Sequence, residues 1–421
     1  MQFGPILRAM ARNKVRFGLI ALEIALTLAI VTNCVNMIRV AKADMSQPSG
    51  FDDDNILTVR SQPFTSDFRE EGYLDNAVRS DMEVMRHTPG VKAVTNSRFL
   101  PWQGGGSSSE VRIAGSKTEM LRTQVYGADG GTLDSLRAPI IEGRNFTQAE
   151  AESEATRLRE LLNAARPMGE DGKPKEKITQ DIIISKAFAK LITKDGNALN
   201  VRLEDNDGDQ YRVVGVIGRF YNPYGWPIHE FVMFFPGLSR SYEGGMQYLL
   251  RVEPGRMDSV KAAIEKNLLA ANAGRNLTLR PLSEIKTNQL AQPALMVRML
   301  TVVIFLLLFV TCLGIVGLTA FSVAERTRQI GTRRALGALK SDILQYFLLE
   351  NWIVTSIGLT VGVVLTYALN IALVTKLNGT KLDPGLVVMG VVLLWAAGLT
   401  ATYFPALRGV RVAPAIATRN V

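Results

Sequence analysis

Thiols and imidazoles are scarce in this chain. Its 421 residues include only two cysteines and two histidines, which leaves few soft ligands for zinc, iron or copper and few side chains for thiol or imidazole catalysis. Cys34 and Cys312 both lie in long apolar runs, so the segment between those runs has no thiol and cannot hold a disulfide. We therefore predict no metal site and a core held by apolar packing.

Familiar catalytic motifs are missing as well. The sequence has no G-x-x-x-x-G-K-[ST], no G-x-S-x-G and no paired-histidine metal motif, so it provides neither a P-loop nor a nucleophile elbow. Asp205, Asp207 and Asp209 begin like a calcium loop, but no glycine follows at the sixth position and no glutamate at the twelfth. A hairpin turn is the better interpretation. We predict no catalytic residue and no cofactor in this chain, which makes an enzyme the weakest functional hypothesis.

The positive charge is unevenly distributed. The formal net charge is +9, yet the segment Lys42–Pro293 holds 32 Lys and Arg against 34 Asp and Glu. All of the excess therefore lies outside that segment, beside the long apolar runs, where basic residues typically mark the cytoplasmic side of a membrane. This distribution favours a membrane protein with lipid contacts and argues against nucleic-acid binding.

Four apolar stretches are long enough to cross a bilayer, which requires about 20 helical residues. The predicted transmembrane helices span residues 17–40, 295–323, 347–375 and 385–407. The predicted fold class is an α-helical membrane protein with four transmembrane helices and a large α+β extracytoplasmic domain between helices 1 and 2.

Clusters of Lys and Arg set the predicted orientation. They precede the first helix, separate the second from the third and follow the fourth, which places residues 1–16, 324–346 and 408–421 in the cytoplasm. Residues 41–294 and the short turn 376–384 then lie outside. Residues 1–16 have the spacing of an interfacial amphipathic helix. Ala41-Lys42-Ala43 resembles a signal-peptidase site, an alternative that the length of the first apolar run disfavours.

The outer segment alternates predicted strands with predicted helices. Residues 150–177 contain a charged insertion of unassigned function. Tyr221, Tyr224 and Trp226 form an aromatic stretch that could be a periplasmic contact site or could pack within its own hairpin. The predicted strands are 55–60, 109–114, 181–185, 201–204, 211–217, 231–235 and 248–252, and the predicted helices are 73–86, 150–165 and 257–271.

The loop between the second and third membrane helices is short, basic and amphipathic. One face toward the membrane or a partner can be shared by Ile330, Leu336, Leu339, Ile343 and Phe347. An ordinary positive-inside loop is the alternative. Five basic side chains remain for an acidic groove or for lipid head groups: Arg326, Arg328, Arg333, Arg334 and Lys340. Glu325, at the start of the loop, is counted with the loop residues that could contact a partner.

Small and charged residues stand out inside the membrane helices. Gly314 and Gly317 in the second helix, and Gly358 and Gly362 in the third, predict close helix packing, the latter pair as G-x-x-x-G. Glu23 is costly within a bilayer, so we expect it to face a bundle interior, a cavity or the inner interface in a structural or coupling role.

Residues 325–338 resemble the E-R-x-x-E-I-G-x-R-R-A-L-G-A segment of MacB/FtsX-like permeases of ABC transporters, with Gln329 replacing the usual acidic residue. Pro414-Ala415 resembles the closing motif of that family. Further resemblances to the MacB-type periplasmic domain are Gly50–Asp52, Pro89–Val91, Gly143–Phe146, Ile184–Ala189 and Tyr211–Ile217.

The resemblance implies a mechanism that composition could not. Such permeases pair as identical copies or paralogues on two ATPase subunits, which bind ATP and Mg. The loop after the second helix acts as a coupling helix, and the first two helices extend to carry movement to periplasmic domains. The family implies a bacterial inner-membrane location, and here an ATPase on another chain.

We therefore expect a non-catalytic permease subunit of a mechanotransmission transporter. It would export a small molecule or peptide, with a periplasmic adaptor and an outer-membrane protein as possible partners, or extract envelope lipid or lipoprotein. The alternative is a regulatory transmembrane protein that signals envelope state to a partner enzyme or kinase.

Overall fold

The chain divides into a helical unit, residues 1–46 and 292–421, and an α+β unit, residues 47–291. A computed structural model describes residues 14–96, 102, 107–163, 177–193, 195–221, 229–237, 245–377 and 380–410. Most of the predicted N-terminal amphipathic helix, most of the predicted tail, and the closing motif at Pro414-Ala415 lie outside the described residues.

The described residues contain ten α-helices and eleven strands. The helices are α1 (Lys14–Met45), α2 (Glu71–Arg86), α3 (Thr132–Leu136), α4 (Gln148–Asn163), α5 (Lys186–Ile192), α6 (Met257–Ala271), α7 (Leu282–Glu325), α8 (Thr327–Ala335), α9 (Lys340–Leu377) and α10 (Pro384–Val410). The strands are β1 (Ile56–Pro63), β2 (Val91–Asn96), β3 (Ser107–Ile113), β4 (Leu121–Ala128), β5 (Ile140–Gly143), β6 (Thr179–Ser185), β7 (Arg202–Asp205), β8 (Gln210–Ile217), β9 (Val232–Pro236), β10 (Met246–Val252) and β11 (Arg275–Pro281).

Four of these helices, α1, α7, α9 and α10, are long and apolar enough to cross a membrane, as the sequence predicted. The helix α1 occupies the centre of the helical unit, because half of its most apolar stretch is buried against 11% for α7. Its side chains Ile24 and Leu28 share one apolar cluster with Ile315 of α7, Val354 of α9 and Leu394 of α10.

Polar side chains also join α1 to α9. The amide of Asn33 donates to the Thr366 carbonyl oxygen at 3.1 Å, and the amide of Asn370 donates to the Asn33 side-chain oxygen at 3.1 Å. Nearly two turns after Asn33, Arg39 pairs with Asp383 at 2.8 Å, in the turn before α10. Amide groups in a membrane helix cost free energy unless they are paired, so this network fixes α1 against α9 and the following turn.

The first lobe of the α+β unit is an antiparallel sheet of four strands in the order β11-β1-β10-β2. Its register aligns Leu57 with Leu250, and both side chains are fully buried. The helices α2 and α6 cover it, because their apolar positions, such as Met82 and Ile264, fall on one face at helical spacing.

The second lobe contains seven strands in the order β5-β8-β6-β9-β4-β3-β7. Since β7 also pairs with β8, six of these strands close into a small barrel, which removes most exposed edges. The core beneath it includes Ile182, Ile184, Phe188 and Val213.

The α+β fold class predicted from the sequence is confirmed, with additions. The structure shows β2, β4, β5 and β11 and the short helices α3 and α5, which the sequence pattern did not reveal. The turn expected at Asp205–Asp209 joins β7 to β8, and Asp205 accepts hydrogen bonds from the backbone of Asp207 and Asp209 and from the Tyr211 hydroxyl. Those bonds occupy the oxygens that a cation would need.

Candidate functional site

The predicted coupling loop contains one short helix, α8, held between two breaks. Arg326 alone separates α7 from α8, with a non-helical backbone. After α8, Gly337 adopts a left-handed φ of 97°, which ends a helix at little cost for glycine. The carboxylate of Asp342 then accepts the backbone N–H of Leu339 at 3.0 Å and so stabilises the start of α9.

The inner face of α8 is apolar. Ile330 is buried in a cluster with Val323 at the end of α7, Ile343 and Phe347 in the first turns of α9, and Ala406 near the end of α10. The cluster attaches α8 to three of the long helices. The sequence predicts one face shared by Ile330, Leu336, Leu339, Ile343 and Phe347. Ile330, Ile343 and Phe347 do cluster together, but Leu336 and Leu339 are exposed, so the shared face is wrong for the two leucines.

Arg326 also points inward. Its guanidinium donates to both carboxylate oxygens of Glu350, at 3.0 and 3.2 Å, and to the Tyr346 hydroxyl at 2.8 Å. The Arg326 side chain is only 15% exposed and the Glu350 side chain 5%. The predicted contact of Arg326 with an ATPase therefore needs correction, because this side chain is buried and hydrogen-bonded to Glu350 and Tyr346 inside the helical unit.

Two leucines form the outward apolar surface of the loop. Leu336 is 83% exposed and Leu339 is 66% exposed, so neither side chain packs in a core of the helical unit. Arg328 and Arg333 of the same loop are also exposed, and the Arg333 guanidinium lies 5.7 Å from the ring centre of Tyr346. We call Arg328, Arg333, Leu336 and Leu339 the outward surface.

Glu325 is exposed but paired, and Arg334 is partly covered. Glu325 pairs with Arg16 of α1 at 3.3 Å, an exposed ion pair of modest strength. Arg334 is half-buried. The loop therefore separates into an inward set that anchors it and an outward set that a partner could reach.

Three residues of this site were not identified from the sequence: Asp342, Tyr346 and Glu350. The signal for Glu350 was present, since a carboxylate beside an apolar run is costly unless it is paired. The same argument had singled out Glu23. Its partner could not be read from the sequence, because pairing with Arg326 depends on how α8 folds back onto α9.

The predicted packing glycines have different surroundings. A methyl group at Gly358 would meet the Ala21 carbonyl oxygen at 2.7 Å, and one at Gly362 would meet the Ala25 Cα at 3.0 Å, so both lie against α1. A methyl group at Gly314 would meet Glu23, which places Glu23 against α7. Gly317 has open space around it, so its predicted packing role is not found among the residues that the structure describes.

The glycines provide a matched test of this packing. Gly362→Val should destabilise the helical unit by about 1–3 kcal/mol, because the added carbons have to push the α1 backbone away. Gly317→Val makes the same change in a helix with room for the side chain and should alter stability by less than about 1 kcal/mol. Thermal unfolding of the two detergent-solubilised variants measures the difference, and equal losses would contradict the assigned packing.

The aromatic stretch of the α+β unit is only partly described. Tyr221 is buried, with its ring 6.4 Å from Trp102 and stacked at 5.2 Å on His229. The predicted surface role of Tyr221 is therefore wrong, and the alternative of internal packing applies to this residue. Tyr224 and Trp226 lie outside the described residues. Within the described part of the chain, no group of three or more His, Cys, Asp or Glu is placed to hold a metal.

Two family models match the sequence. The MacB-like periplasmic core domain matches residues 17–267, and the FtsX-like permease C-terminal matches residues 301–414. A macrolide export ATP-binding/permease protein MacB from Marinobacter nauticus is 24% identical over 97% of this chain and 58% of its own length. The protein of the same description from Nitrosomonas europaea is 31% identical over 49% of this chain and 32% of its own. The chain thus spans less than two thirds of these relatives.

Two solved structures of transporter domains are also similar to part of this chain. The periplasmic region of MacB from Actinobacillus actinomycetemcomitans is 13% identical, with a TM-score of 0.35, covering 57% of this chain and 94% of the other. The extracellular domain of a noncanonic ABC-type transporter, YknZ, from Gram-positive bacteria is 14% identical, with a TM-score of 0.31, covering 53% of this chain and 100% of the other.

Proposed function

Because this chain belongs to the MacB/FtsX-type ABC permease family, we propose that it is the transmembrane subunit of a mechanotransmission transporter. In this proposal it performs no chemistry itself. A partner ATPase binds ATP and Mg, and the chain converts the closing of that ATPase into movement of the α+β unit. The outward surface is the observation that carries the proposal.

The outward surface has the properties of a docking element. Leu336 and Leu339 are exposed apolar side chains in the same short loop as the exposed Arg328 and Arg333, and leucine and arginine side chains together can form a protein interface with arginine among its typical energetic centres. The inward residues Arg326 and Ile330 attach α8 to the long helices. In this proposal, a movement of α8 would therefore move those helices too. Leucines beside basic residues also suit insertion into a lipid interface, so measured binding of the ATPase is what separates a protein partner from lipid.

The proposal includes a second permease copy, identical or paralogous. The helix α7 presents a broad apolar surface with Phe305, Phe309 and Phe321 exposed in the described chain, which lipid and a second copy could share. The relatives named for macrolide export suggest a small molecule as cargo, with a peptide or an envelope lipid or lipoprotein as the other classes. A periplasmic adaptor and an outer-membrane protein would complete an exporter.

We further propose an inner-membrane location with both termini in the cytoplasm and the α+β unit in the periplasm. Ser107 and Ser341 are exposed in their units, which suits them to single-cysteine labelling after Cys34 and Cys312 are replaced. A membrane-impermeant maleimide should label Ser107→Cys from outside in spheroplasts and Ser341→Cys only in inverted vesicles. The reverse pattern would overturn this topology.

The decisive test is the identity of the proteins that co-purify with the tagged chain from its native membrane. An ABC-type ATPase should arrive in roughly equal molar amount under gentle extraction, and mass spectrometry would identify it. If no ATPase arrives, the proposal fails and regulation of a partner enzyme or kinase becomes the leading hypothesis. Stimulation of the ATPase by a cargo would separate transport from switching alone.

A further inference from the structure

A buried ion pair connects the coupling helix α8 to the third membrane helix, α9. Arg326 makes three hydrogen bonds, two to the Glu350 carboxylate and one to the Tyr346 hydroxyl, both on α9. A two-pronged guanidinium–carboxylate pair fixes direction as well as distance. Arg326 is the single residue between the end of α7 and the start of α8, and its side chain reaches α9. It therefore connects α7, α8 and α9.

The pair is expensive to break. Glu350 lines a small cavity together with residues from three helices, among them Phe17, Leu318 and Val354, and its side chain is only 5% exposed. Removing one member of a buried pair leaves an uncompensated charge, which costs far more than loss of an exposed pair. The orientation of α8 relative to α9 is therefore strongly determined, and it is reinforced by Ile330 in the apolar cluster with Ile343 and Phe347.

The helix α9 is in turn firmly attached to α1. The backbones approach closely at Gly358 and Gly362, and Asn33 bonds to α9 at the other end of the contact. The attachment of α7 is looser. Thr27 and Thr311 share one hydroxyl contact at 2.7 Å, and the Arg16–Glu325 pair at its end is exposed.

We propose that Glu350 is a positioning residue through which movement of α8 enters α9, so that α9 and α1, rather than α7 alone, receive the stroke of the ATPase. The inference rests on the proposed coupling function. When the ATPase displaces Leu336 and Leu339, α8 moves with them. The Arg326–Glu350 pair transmits this displacement to α9, and the contacts of α9 transmit it to α1. The helix α7 can shift at lower cost because fewer buried groups hold it.

The test compares two Glu→Gln changes of equal chemistry. Glu350→Gln removes the charge that anchors α8 to α9, and Glu325→Gln removes the charge of the exposed pair with Arg16. An environment-sensitive fluorophore at Val364→Cys, an exposed position on α9, reports movement in the full chain with its co-purified ATPase. The signal is the change in emission on trapping with ATP and orthovanadate.

Glu350→Gln should reduce that change by about fivefold or more, the size of a typical coupling free energy, while the bound ATPase stays within about twofold. Glu325→Gln should keep the full change. A double variant, Arg326→Met with Glu350→Met, removes both charges, a change that buried pairs often tolerate. It should also lose the emission change. This variant tests the inference even if the single variant misfolds.

Two results would overturn the inference. One is a full emission change in both Glu350 variants, because movement would then reach α9 by another route. The other is loss of ATPase binding together with the signal, because Glu350 would then maintain the docking site instead of transmitting force. Failure of the proposed function looks different, since no ATPase would accompany the unaltered chain.

Discussion

Asp81→Asn should destabilise the α+β unit by about 3–5 kcal/mol, a large part of the total stability of an ordinary domain. Asp81 of α2 accepts hydrogen bonds from Arg275 of β11 and, at 2.9 Å, from the Tyr248 hydroxyl of β10. Both charged side chains are almost fully buried, at 2% and 1% exposure. Burial raises the pKa of the Asp81 carboxyl against the opposing effect of Arg275 and Tyr248.

The large effect follows from what remains after the substitution. Without the carboxylate, the Arg275 guanidinium stays charged in a buried site and keeps the neutral backbone oxygens of Leu268 and Asn272 as acceptors, which do not compensate its charge. Denaturant unfolding of the full chain in detergent, followed by protease resistance of the α+β unit, measures the loss. Glu253→Gln removes a charge from an exposed pair with Arg256 and should cost less than about 1 kcal/mol.

A second variant separates lost pairing from a merely damaged core. Asp81→Leu combined with Arg275→Met removes both charges and should recover most of the stability, because no unpaired ion remains. If the double variant is as unstable as Asp81→Asn, the cost lies in packing or in the Tyr248 hydroxyl, and the ion pair is not the cause.

This pair shows where prediction from the sequence ends. Apolar runs of more than 20 residues identify membrane helices regardless of their neighbours, and strand periodicity identified much of the α+β unit. Asp81 and Arg275 look like ordinary surface charges on an amphipathic helix and a polar strand. They meet only because β11 pairs with β1, and no local pattern encodes that long-range pairing.

The candidate site shows the same limit at shorter range. Periodicity placed Ile330, Leu336 and Leu339 on one face because it treated the loop as one continuous helix. The left-handed backbone at Gly337 interrupts that helix, so Ile330 packs inward while the two leucines point outward. Composition identified the loop correctly, but the direction of each side chain depends on where the helix stops.

Under the proposed function, the partner ATPase should bind less tightly when the outward leucines become charged. Leu336→Asp combined with Leu339→Asp should weaken binding by about 100-fold or more, since central interface side chains each contribute about 2 kcal/mol or more. The surface of the ATPase that binds Arg328 and Arg333 would be acidic in this proposal, so it would also repel the two new carboxylates. Titration of the purified ATPase against the permease in nanodiscs measures the affinity.

The control for this prediction is Leu191→Asp, which charges an exposed leucine of α5 in the α+β unit and should leave the affinity unchanged. Leu336→Met keeps an apolar side chain of similar volume and should retain binding within about threefold. Unfolding curves should match for all variants, because neither Leu336 nor Leu339 packs in a core. Full affinity in the doubly charged variant would mean that the ATPase docks elsewhere, and the outward surface would then serve the lipid head groups that its arginines also suit.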